Sequence, residues 1–187
     1  MKNIEKELLQ LSKDISKYHI PRWQELPDID LYMDQVISFI EHSIGKFSNN
    51  ATEKIITPSM INNYVKLNLI PKPIKKRYNK GHLAYLIAIS ILKQVLTIQE
   101  VRDGILFQAK INGGKDAYNL FCDEQEKALA SIINQINLGD QALDVEKITT
   151  DNLAIKMSTM AFASKMIAEK TIELQKTLSQ KQSNESL

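Results

Sequence analysis

Ser59, Asn62, Asn63 and Lys66 are spaced so that a helix brings them to one face, with Ile61, Tyr64 and Val65 on the other. The polar face holds two carboxamides, a hydroxyl and an ammonium group, and no acid. An asparagine side chain can donate to and accept from adenine N6 and N7 together, while serine and lysine serve phosphates or bases. A solvated amphipathic face uses the same residues, and the helix by itself does not choose between them. Directly after it comes Leu69-Ile70-Pro71-Lys72-Pro73-Ile74-Lys75-Lys76-Arg77-Tyr78. Its two prolines forbid helix and predict an extended, hairpin-like excursion that carries Lys72, Lys75, Lys76 and Arg77. A helix for the major groove followed by a basic wing for the backbone is the layout of a winged helix-turn-helix.

Charge points the same way. From Lys54 to Gln99 there are eight basic residues (Lys54, Lys66, Lys72, Lys75, Lys76, Arg77, Lys80, Lys93) and no aspartate or glutamate. Taking these eight from the 24 basic residues of the chain leaves 16 against 22 acids, so a positive segment sits in an otherwise acidic protein. Such a field draws polyanions to one place, whereas a face that serves only solubility mixes both signs.

The other residues capable of chemistry do not assemble into a reaction centre. His19, His42 and His82 fall in three segments, with no pair at metal-ligand spacing. His82, in the first turn after the wing, reads equally as a phosphate contact or a solvated ring. Glu25, Asp28, Asp30 and Asp34 suggest a cation site or paired carboxylates, but acids at a helix start cap free amides and oppose the dipole, which is the better reading. Gly113-Gly114 lacks the spacing and the Lys-Ser/Thr of a phosphate loop. Cys122 has no cysteine or histidine nearby, and Met157, Met160 and Met166 read as core or dimer seam. No catalytic residue, metal ligand or cofactor is expected, and the chain does not read as an enzyme.

Helices must position the polar face. A first one is predicted from Asn3 to Tyr18, with Ile4, Leu8, Leu11, Ile15 and Tyr18 as its apolar stripe, ended by Ile20-Pro21. After a connector in which Trp23 packs onto the core, a second runs from Asp28 to Ser43 on Ile29, Met33, Val36 and Ile40, stopped by Gly45 and Ser48-Asn49-Asn50. Thr57-Pro58 is a capping hydroxyl followed by proline at the first helical position, and Asn68 stands where a left-handed residue stops that helix near Leu67. Asn79 caps a helix from Lys80 to Leu96, apolar nearly all round and so central. Thr97 with Glu100 is a capping box opening a further helix to Lys110. Asn112-Gly113-Gly114 is the best boundary. Beyond it come a helix from Asp116 to Ile136, a loop from Asn137 to Leu143, and a long helix from Thr150 to Leu178. In that last helix Leu153, Met157, Met160, Ile167, Leu174 and Leu178 form a heptad seam with Ser164 and Thr171, before a polar, disordered tail from Gln180.

The domain reading is an N-terminal helix over 1–22, a winged helix-turn-helix module over 23–111 and a C-terminal helical region over 112–187. The fold class is mostly all-α with a small β-hairpin wing. Apolar stretches are too short to cross a bilayer, the N-terminus has no export signal, and a single cysteine fits a reducing compartment, so a cytoplasmic protein is expected.

The stretch from Ile61 to Pro73 resembles the MerR family pattern of a Leu-Arg-Tyr-Tyr helix leading into Gly-Leu-Leu/Ile-Pro. Arg77-Tyr78 resembles that family's Arg-x-Tyr at the end of the wing, and the segments Asn79 to Val95 and Leu96 to Ile105 resemble its next two helices. Asn62 then stands at the family's contacting arginine, Tyr64 at its second tyrosine and Asn68 at its glycine. The resemblance implies DNA contacts from Thr57, Ser59, Asn62, Asn63, Tyr64, Lys66, Lys72, Lys75, Lys76, Arg77 and Tyr78. It also implies a homodimer through the C-terminal helices and a small-molecule effector sensed there. Two departures stand out. About a dozen residues separate Ser43 from Thr57, where a helix-turn-helix uses three or four. Asn62 in place of arginine shifts contacts toward adenine or a weaker backbone bond.

A wider resemblance, on Glu25 to Val36, Ile56 to Lys66 and Leu92 to Leu96, is to a bacterial family known as domain of unknown function 1836, and spans about Trp23 to Ile105. The expected function is a DNA-binding transcriptional regulator with double-stranded DNA as partner and no membrane association. The alternative is a helical protein-interaction module whose asparagine face and wing bind an acidic protein.

Overall fold

The computed structural model describes residues 2–47, 54–138 and 148–185. Seven helices dominate the described residues: α1 (Lys2–Ile15), α2 (Met33–Ile44), α3 (Pro58–Lys66), α4 (Lys80–Leu92), α5 (Ile98–Asn112), α6 (Gly114–Leu138) and α7 (Leu153–Glu185). The local start signals act as expected. Thr57 Oγ1 accepts from the Met60 amide, Asn79 Oδ1 from the His82 amide, and Thr97 and Glu100 close a reciprocal capping box. Each such cap contributes about 1 kcal/mol. Asn68 ends α3 at φ 54°, the left-handed stop its side chain tolerates.

α4 is the central rod. From His82 to Leu92 every residue but Tyr85 is buried, and α2, α5, α6 and α7 pack around it. One apolar cluster runs from Ile15 to Met166, crossing the break at Gly113, where a φ of 78° turns the chain from α5 into α6. That glycine therefore breaks a helix without separating two cores. Phe47 stacks between Tyr18 (centroids 5.1 Å) and Phe162 (6.2 Å), joining the ends of α1 and α2 to α7.

Three expectations change. α2 begins at Met33 and not at Asp28, because Leu31 exchanges both backbone hydrogen bonds with Tyr78, at 2.9 and 2.8 Å, and is held extended. Ile29 is consequently exposed, off the predicted stripe. The wing is shorter than a hairpin of strands: among the described residues there are only the single bridges Leu31–Tyr78 and Ile74–Arg77. α7 continues through the polar stretch from Gln180 to Glu185, where glutamine, lysine and glutamate support helix. Asn137 and Leu138, the first two residues of the expected loop, continue α6, while the rest of that loop to Leu143, the expected stop at Ser48-Asn49-Asn50 and the Ile4 side chain lie outside what the structure describes.

α7 also presents two apolar faces. Ile155, Thr159, Phe162, Ala163 and Met166 point into the core, while the heptad seam begins on another side with Leu153 and Met157 exposed at 45% and 47%. Met166 is thus core. Leu178, at the far end of the seam, is buried.

Candidate nucleic-acid interface

α3 is held by its apolar side. Ile61 and Tyr64 are buried, and the Leu69 amide donates to the Tyr64 carbonyl at 2.9 Å, folding the exit back beneath the helix. Its entry is pinned as well: the Ile56 amide donates to Glu41 on α2 at 3.4 Å, and Lys93 Nζ to the Ile55 carbonyl at 3.0 Å. Ser59, Asn62, Asn63 and Lys66 are all exposed. The structure brings together the face that their spacing predicts.

The wing is a two-residue turn. The Arg77 amide donates to the Ile74 carbonyl at 2.9 Å, and Lys75 and Lys76 between them have φ of 49° and 62°. Positive φ at both central positions is the hairpin geometry that favours Asn-Gly. Two lysines hold it here, with strain of about 1–2 kcal/mol each. Lys72, Lys75, Lys76 and Arg77 are exposed. Of the other segment cations, Lys66 and Lys54 are exposed, Lys80 pairs with Asp28 at 3.4 Å, and Lys93 is turned to Ile55.

Tyr64 and Tyr78 are core residues, each 3% exposed, so they position α3 and the wing and present no open ring for contact. Thr57 is occupied in capping α3. His82 is buried rather than facing phosphate. Its Nδ1 accepts from the Asn79 amide at 3.1 Å, its Nε2 donates to the Pro71 carbonyl at 3.2 Å, and its ring meets Tyr78 edge-on at 5.5 Å. Burial pushes its pKa below the ordinary histidine value, only partly offset by the Pro71 bond and the Asp30 charge.

Sequence reasoning missed Tyr32. The Leu31–Tyr78 bridge puts Tyr32 opposite Arg77, whose guanidinium lies 5.0 Å from the ring centroid and donates to the hydroxyl at 3.1 Å. The same pairing brings the segment holding Asp28 and Asp30 beside the base of the wing. The positive stretch that is free of acids along the chain is therefore partly balanced in space. The four acids do not share a helix start either. Glu25 accepts from the Arg22 amide at 2.6 Å, Asp28 pairs with Lys80, and only Asp34 lies in the first turn of α2. Among the described residues no group of three or more His, Cys, Asp and Glu is placed to hold a metal ion.

An open depression of about 580 Å³ lies on the outer side of α2, lined by Leu31, Asp34, Gln35, Ser38, Phe39 and His42, without Glu25 or Asp28. Burial lifts the Cys122 thiol to about 12, which keeps it protonated and unreactive. Among the described residues no helix is long and apolar enough to cross a membrane.

These features define a helical protein with an acid-free polar helix face leading into a tight polybasic turn. Residues 21–121, more than half of the chain, match the family described as Domain of unknown function (DUF1836), and the chain belongs to that family. The match extends past Gly113 into α6, consistent with the continuous core. No curated protein and no solved structure matches the chain.

Proposed function

We propose that this protein is a DNA-binding transcriptional regulator built on a MerR-like winged helix-turn-helix. α3 enters the major groove, where Asn62 and Asn63 read bases and Ser59 and Lys66 hold backbone. Lys72, Lys75, Lys76 and Arg77 neutralise phosphates beside it. The observation that carries this reading is the pair of lysines in the strained turn. A position that favours Asn-Gly is filled by two cations, which supports a charge-dependent role for the tip.

The functional unit is a homodimer. The exposed start of the α7 seam, Leu153 and Met157, supports this, together with Phe107 and Ile111 on α5; the Gln108–Asp151 hydrogen bond, 2.7 Å, joins the two segments. Dimerisation would pair two α3 helices for successive major grooves.

The test is selection from a random duplex pool by the full chain, then affinity measured against salt. A regulator enriches a motif and loses affinity steeply with salt. Asn62→Ala or Asn63→Ala should lower discrimination by roughly 1–3 kcal/mol at an adenine contact. Failure to retain any duplex at low salt would remove this reading. It would favour the protein-interaction module, which the acids beside the wing and the apolar Phe107–Leu153 surface support.

A further inference from the structure

Among the described residues Ile74 is the most exposed of the large hydrophobics, at 73%. It sits in the last bridged pair before the tip, opposite Arg77, and Arg77 in turn lies opposite Tyr32. The three side chains therefore form one row on one face of the wing, in the order Tyr32, Arg77, Ile74. The guanidinium is held by the Tyr32 hydroxyl and ring, so it is ordered before any partner arrives. Asp28 is engaged by Lys80, and the charge of Asp30, two residues before Tyr32, acts on His82.

We propose that this row enters the minor groove of A·T-rich duplex DNA. Arg77 lies along the groove floor and Ile74 packs against a base step, while Lys75 and Lys76 reach the phosphates on either side. This rests on the DNA-binding reading above and adds a second, sequence-sensitive contact to it. A backbone clamp needs only charge, and an isoleucine presented beside an arginine gives it nothing. An apolar wedge next to an arginine suits a minor groove, where arginine favours the narrow, negative A·T form and isoleucine can part a flexible step. Tyr32 is a positioning residue that fixes Arg77.

The test uses the full chain and a duplex selected by it, with flanking A·T pairs replaced by G·C or by inosine·cytosine. Inosine lacks the guanine 2-amino group, so inosine·cytosine keeps the minor-groove pattern of A·T while presenting the major-groove edge of G·C. Affinity should fall about tenfold on G·C and recover on inosine·cytosine. Ile74→Ser and Arg77→Lys should flatten that preference to within about twofold, while α3-dependent discrimination at the centre of the site stays. Tyr32→Ala should weaken the flank preference without changing the dependence on salt. Inosine·cytosine behaving like G·C, or Ile74→Ser keeping the full preference, would overturn the proposal and leave the regulator reading intact. Retention of no duplex at all would end both, and an Ile74-dependent protein complex in its place would assign the row to a protein partner.

Discussion

Arg22 and Glu126, 104 residues apart, meet in a two-pronged ion pair: Nη1 donates to Oε1 at 2.8 Å and Nη2 to Oε2 at 2.7 Å. Arg22 also reaches Asp123 through Nε at 3.0 Å, and Glu126 accepts from the Ile20 amide at 2.7 Å. The connector before the wing is thereby fastened to α6. Burial is the largest influence on Glu126 and opposes its ionisation, yet the hydrogen bonds from Arg22 and the Ile20 amide together with the charges of Arg22 and His19 outweigh it, and its pKa is lowered. Arg22→Ala leaves that carboxylate without its partner, and stability should drop by about 2 kcal/mol. Urea unfolding against Glu126→Gln and the double variant measures the coupling; additive losses would show that the pair contributes nothing jointly.

His82 makes the base of the wing sensitive to acid. Its folded pKa lies below its unfolded one, so the unfolded chain binds the proton first. The stability due to the neutral ring is complete above the ordinary value of about 6.5 and drains as pH falls below it. His82→Gln, whose amide can still donate toward the Pro71 carbonyl, should show a smaller fall in Tm between about pH 7.5 and pH 5.5. An unchanged pH slope would place the acid sensitivity elsewhere.

The strained turn separates stability from charge. Lys75→Asn combined with Lys76→Gly relaxes two positive φ angles, and after the added entropy cost of one glycine the protein should gain about 2 kcal/mol. The same change removes two cations, so the slope of log affinity against log salt should fall by about 2 if the wing holds phosphates. A gain in stability with no loss of affinity would deny the turn any part in binding.

Leu153→Glu with Met157→Glu tests the exposed end of the α7 seam. Sedimentation should show the wild-type chain as a dimer and the variant as a monomer with unchanged helix content by circular dichroism. Both side chains are about half exposed, so the monomer's fold should tolerate the change. Wild type sedimenting as a monomer would assign that surface to another partner.

Helix starts were legible because their signals are local. Thr57-Pro58, Asn79 and the Thr97–Glu100 box each act within three residues, and α3's two faces followed from its period alone. What stayed hidden depends on residues far apart in the chain. The start of α2 moved because Leu31 pairs with Tyr78, 47 positions on. The same pairing made Tyr32 a neighbour of Arg77 and set Asp28 and Asp30 beside a segment that looked free of acids. The heptad seam of α7 was visible as a pattern, but a pattern does not say which apolar residues meet the core: Phe162 and Met166 fill it, Met160 and Ile167 of the seam pack against it, and of the seam's apolar residues only Leu153 and Met157 are exposed. His82 looked like a surface residue because nothing nearby announces that its partner is the Pro71 carbonyl.

The double hydrogen bond between Leu31 and Tyr78 has a mechanical meaning. A loop anchored only at its two chain ends can swing, and must surrender that freedom whenever it docks. This one is also stitched laterally to the residue pair that leads into α2, and its foot is clamped by Pro71 against His82. Little motion is left to freeze, so contact at the tip carries a small entropic penalty, and any displacement of α2 drags the basic turn along with it.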